Sequence, residues 1–117
     1  MPIEETVDRI RDQDGIVYLP HPFDWWRFSL LWDVKRVKAD IVEVYNSKCI
    51  NGGNFFAQRH AKRNKILMGA GSDAHFLFQI GKAYVEIEAF NSKKEFLKNF
   101  KKVRVFSNVI HLKEIKK

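Results

Sequence analysis

Residues 65–75 read KILMGAGSDAH, an apolar run that stops at a glycine-rich turn and then presents an aspartate and a histidine two positions apart. The spacing predicts a buried strand over KILMG. Extended backbone through GSDAH would send Asp73 and His75 to the same side, where a carboxylate and an imidazole can converge on one cation.

Upstream, DIVEVYN (40–46) reads as a second buried strand of β-branched residues, and the loop SKCINGG after it leads to a helix from about Asn54 to Lys62. Further back, GIVYL (15–19) is a short apolar run closed by Pro20, His21 and Pro22, since proline cannot donate to a strand ladder. Ile3, Val7 and Ile10 fall at helical spacing in the first segment, with a stop at Asp14-Gly15. Trp26, Leu30, Val34 and Val37 place a second amphipathic helix between them.

Downstream, AYVEIE (83–88) and VRVFSN (103–108) read as fourth and fifth strands. The helix between them is capped by Ser92 with Glu95 and has a stripe of Phe96, Leu97 and Phe100. Alternating strands and helices imply α/β architecture with a mainly parallel sheet of about five strands. In such sheets functional groups gather at the carboxyl ends of the strands. Three strand ends here carry polar residues: His21, Asn46, and Asp73 with His75.

The 117 residues, 45% hydrophobic and 30% charged, suit one compact domain spanning 1–117. No apolar run approaches membrane-helix length and the acidic start MPIEETVDRI is unlike a secretory signal, so a cytoplasmic protein without a membrane partner is expected. Cys49 is the only cysteine, which leaves no disulfide and no CxxC zinc pair, so a metal would need His and carboxylate ligands. The net charge of +7 favours phosphorylated or polyanionic partners.

LPHPFDWWR, ADIVEVYN, NFFAQRHA and GAGSDAHFLFQIG, in this order, resemble the C-terminal half of the PHP family, the polymerase and histidinol phosphatase domains. Members of that family are irregular seven-stranded βα barrels with a multinuclear metal site. The resemblance implies a partial PHP-type (β/α) barrel in which His21, Asp73 and His75 are the metal ligands and catalytic residues. It also implies that Arg27 grips a substrate phosphate and that Asn46 is a supporting or substrate-binding group. Glu43 holds the family's strand position as well, but alternation sends it to the face opposite Val42 and Val44, so a structural or supporting role is expected.

The family's opening HxH half is absent from this chain. Of the other two histidines, His60 lies in a Lys- and Arg-rich helix and His111 in a basic tail, and both read as surface residues. Imidazole plus carboxylate ligation suits zinc, manganese or iron. The resemblance therefore implies a metal-dependent phosphoesterase module, a hydrolase acting on a phosphorylated small molecule or on nucleic acid. About five strands cannot close a barrel, so a separate N-terminal half or a homo-oligomer is the expected partner. The alternatives are a non-catalytic nucleic-acid-binding protein similar to the ribonuclease P barrel subunit, and a polymerase-associated accessory domain.

Overall fold

The structure, a computed structural model, describes residues 1–24, 34–49 and 52–107. The first helix, α1 (Ile3–Asp12), sets Val7 into the core with Ile3 and Ile10 packed beside it. Glu4 and Glu5 in its first turn and Arg9 and Arg11 in its last both oppose the helix dipole. The chain then turns through Asp14 (φ 57°) into β1 (Tyr18–Leu19).

β1 pairs in parallel with β2 (Ile41–Asn46), which pairs in parallel with β3 (Leu67–Gly71). β2 is buried along its whole length. Val42 and Val44, both 0% exposed, form the core with Leu19, Met68 and the small residues Ala57 and Ala61 of α2 (Gly53–Asn64). Burying each such valine contributes roughly 1.5 kcal/mol or more, and alanine on the facing helix lets α2 lie close to the sheet. Lys65 ends α2 in the left-handed region at φ 54°, and the Ile66 amide donates to the Ala61 carbonyl at 2.9 Å.

The expected mainly parallel sheet of about five strands, and with it the partial barrel, is corrected by the last two strands. β4 (Ala83–Glu86) and β5 (Arg104–Ser107) form their own antiparallel pair, with Ala83 opposite Ser107 and Glu86 opposite Arg104. The burial of β4 supplies the physical reason: it alternates between covered and exposed residues, as a half-solvated antiparallel strand does, whereas β2 is covered on both faces. The helix joining them, α3 (Lys93–Phe100), buries only Phe100 and does not act as a crossover covering a parallel sheet. Its cap is as expected, with the Glu95 amide donating to Ser92 Oγ at 3.1 Å.

The helix expected through Trp26 and Leu30 falls largely outside the described residues. Val34–Arg36 form a single 3-10 turn, and Val34 and Val37 are buried. Among the described residues no helix is long and apolar enough to cross a membrane.

Candidate functional site

The face of the sheet away from α2 carries the chemistry. Period-two alternation puts Val42 and Val44 against the helix and Glu43 on the other side, where it is buried with 6% exposure. Glu43 Oε2 accepts from the His21 amide at 2.8 Å and from Asn46 Nδ2 at 3.0 Å, and Tyr18 Oη donates to Oε1 at 3.4 Å. Space for this carboxylate is kept by Gly71, where an added Cβ would stand 2.5 Å from Glu43 Oε1.

Asn46 closes the group. Its Nδ2 also donates to Asp73 Oδ2 at 3.2 Å, and its Oδ1 accepts from the Lys48 amide at 2.9 Å. Asn54, in the first turn of α2, grips the Asn46 backbone from both sides: Oδ1 accepts its amide at 2.9 Å and Nδ2 donates to its carbonyl at 3.1 Å. Ser47 then ties the two strand ends together, its amide donating to the Gly71 carbonyl at 3.1 Å and its hydroxyl to the Ser72 carbonyl at 2.5 Å.

GSDAH is not extended. Asp73 sits at φ 52° and His21 at φ 28°, so two of the three expected ligands occupy a backbone region that non-glycine residues enter at a cost. Asp73 and His75 still meet, through a turn rather than through strand alternation. His75 Nδ1 lies 2.8 Å from the Asp73 carbonyl oxygen and 3.8 Å from Asp73 Oδ1. Lys48 Nζ stands 2.5 Å from the same ring nitrogen.

One nitrogen cannot serve both neighbours. With its proton on Nδ1 the ring donates to the carbonyl and leaves Nε2 bare; with Lys48 donating to Nδ1, the proton sits on Nε2. The first state is the one in which an imidazole ligates metal. Asp73, held by Asn46, and His75 thus stand side by side as a carboxylate and an imidazole. Among the described residues no group of three or more His, Cys, Asp or Glu side chains is gathered to hold an ion. His21 enters the cluster through its amide on Glu43, and Arg27 lies outside the described residues.

Burial pushes the Glu43 carboxyl above the usual glutamate range, and the charge of Asp73 adds to it, while Asn46, the His21 amide and the His21 ring draw it part of the way back. Burial and then Glu43 raise the Tyr18 phenol too. A carboxyl whose folded pKa exceeds its unfolded one contributes stability that is complete below the unfolded value and lost as pH rises through the folded value. A carbon-13 titration is expected to put the Glu43 midpoint above the ordinary glutamate value, and Asp73→Asn to lower it. A midpoint at or below the ordinary value would contradict this geometry.

Glu43 is the hub that the sequence assigned only a supporting role, and Tyr18 and Lys48 were not anticipated at all. The signal for Glu43 was present: a carboxylate between two valines of a parallel strand, facing a strand with glycine at alternate positions 69 and 71.

Residues 51–105 match the family model described as PHP-associated. An uncharacterized protein of Methanocaldococcus jannaschii is 38% identical over 98 residues, covering 77% of this chain and 41% of that relative. The chain thus spans about two fifths of the length of the curated relative it matches. The match to the PHP-associated model agrees with the resemblance read from the sequence; it takes in GSDAH and begins after the HP motif at His21.

Proposed function

We propose that this chain is the C-terminal module of a metal-dependent phosphoesterase, completed by an N-terminal half or by a second copy. The observation that carries the reading is the Asn46 bridge, which joins buried Glu43 to Asp73 at the rim where His75 stands. Asp73, His75 and His21 are the metal-holding residues of this proposal, with zinc, manganese or iron as the ion. When bound, the cation supplies an acidified water and a positive charge against phosphoryl oxygens.

The chain's own groups do the rest. Asn46 fixes the Asp73 carboxylate in one orientation. Glu43, its pKa raised, is a reservoir for a proton beside the rim. Lys48 offers a compact charge to a substrate phosphate, and leaving His75 for that phosphate frees the ring to present Nε2. Arg27 would add a bidentate grip on the same phosphate.

Elemental analysis of the purified chain tests this. Zinc, manganese or iron is expected in the parent and absent in Asp73→Ala. Supplying the missing half should give hydrolysis of p-nitrophenyl phosphate or its bis-ester that His75→Ala abolishes. A metal content equal in both proteins, or hydrolysis that survives His75→Ala, would overturn the proposal.

A further inference from the structure

A second concavity lies on the helix-covered side of the sheet. Phe56, Arg59, His60 and Arg63 recur at i, i+3, i+4 and i+7 along α2, so they form one stripe beside the buried Ala57 and Ala61. This stripe lines a cleft of about 540 Å³ that is completed by Phe23 and Lys35. The volume falls in the range of small-ligand sites, roughly 300–1,000 Å³.

Its charge is unbalanced among the described residues. Among the described residues Lys35, Arg59 and Arg63 meet no carboxylate, whereas Arg9 pairs with Glu5 at 2.7 Å and Lys93 with Asp14 at 2.8 Å. Like charges around one cleft repel, and an anion placed among them relieves that repulsion.

His60, which lines the cleft, adds a polar atom without a partner among the described residues. Asn64 Nδ2 stands 3.3 Å from His60 Nδ1 and donates to it, which puts the ring proton on Nε2. Nε2 is buried and, among the described residues, is the one such side-chain atom without a hydrogen-bond partner. A buried donor left unpaired calls for an acceptor oxygen. Burial and then Lys35 hold the ring's pKa below its usual value, so the imidazole stays neutral.

The remaining wall is aromatic. Phe23 and Phe56 have ring centroids 6.2 Å apart, Phe23 meets His60 edge-on at 6.0 Å, and Phe56 keeps 42% of its surface exposed. An exposed ring next to clustered cations takes a flat group attached to a phosphate.

We propose that this cleft binds a nucleoside monophosphate unit, free or as one residue of a single-stranded nucleic acid. Its phosphate lies among Lys35, Arg59 and Arg63 and its base against Phe56. The site is separate from the Glu43–Asp73 cluster and does not depend on the phosphoesterase reading.

Amide chemical shifts in a titration with AMP test it, with adenosine, inorganic phosphate and a short single-stranded oligonucleotide as comparison probes. AMP is expected to shift amides within residues 56–64 and to bind more tightly than adenosine or phosphate. The Arg59→Ala/Arg63→Ala variant changes only exposed side chains and is expected to lose about tenfold or more in affinity, while His75→Ala binds AMP as the parent does. Tighter binding of the oligonucleotide than of AMP would assign the source as nucleic acid, and equal binding the free nucleotide. Absence of shifts at millimolar AMP, undiminished binding by the double variant, or loss of binding in His75→Ala would overturn the proposal.

Discussion

Asn46→Ala is expected to lower the unfolding free energy by about 2–4 kcal/mol, measured by urea denaturation of metal-free protein. Asn46 is 1% exposed and spends its amide on three partners in different elements: Glu43 of β2, Asp73 after β3 and the Lys48 amide. Truncation leaves the Lys48 amide unpaired. It also removes the donor between two carboxylates that raise each other's energy, and a buried charged acceptor stripped of its donor costs more than the bond's mean worth. Asn46→Asp is expected to be worse, because it places a third carboxylate between Glu43 and Asp73. A loss below about 1 kcal/mol in the alanine variant would show that the cluster is solvated rather than built.

Gly53→Ala comes next, with an expected loss of about 1–3 kcal/mol in the same measurement. An added Cβ at the start of α2 would stand 2.6 Å from the Phe23 carbonyl oxygen and would also strike Cys49 Sγ. A sulfur can swing aside, but a backbone oxygen moves only with its chain, and Phe23 follows the Pro22 turn that carries His21. Helix propensity argues the other way by about 1 kcal/mol, since alanine is the better helix former. The steric cost wins because the contact with the Phe23 carbonyl is well inside van der Waals distance and that oxygen cannot yield without its chain. A more stable Gly53→Ala protein would mean that α2 and the residues after β1 are not in this close register.

The parts of the fold legible from sequence are those with one strong period. Ile3, Val7 and Ile10 specified α1, the Ser92 and Glu95 box specified the start of α3, and the continuous run IVEVY specified a doubly covered parallel strand. AYVEIE was misassigned to the parallel sheet although its alternation of apolar and acidic residues is the mark of a strand with one wet face. The backbone at GSDAH was misjudged for a different reason. A positive φ at Asp73 leaves no trace in composition, because it is imposed by the Ser47 and Asn46 bonds that fasten the turn to β2.

The site was partly legible by the same standard. Asn46, Asp73 and His75 were each expected at the carboxyl rim, and the structure brings them together. Glu43 looked secondary because alternation alone says which face a residue takes, not what awaits it there. The four groups that meet Glu43 come from β1, the His21 turn, the end of β2 and the turn after β3, and such long-range convergence is set by strand register. Lys48 was missed because one lysine among many in a basic chain carries no spacing signal.

Exposed apolar residues cluster in the segment after the GSDAH turn: Phe76 is 64%, Leu77 87% and Phe78 72% exposed. Phe76 and Phe78 stack at 5.8 Å.

The most direct test is the line broadening of backbone amides on adding substoichiometric manganese(II). Ion binding at the rim predicts that broadening is confined to amides near Glu43, Asn46 to Lys48 and Gly71 to Phe76, and that Asp73→Ala removes it. Broadening spread over the acidic surface of α1, or unchanged in Asp73→Ala, would contradict the claim that these side chains converge to hold a cation.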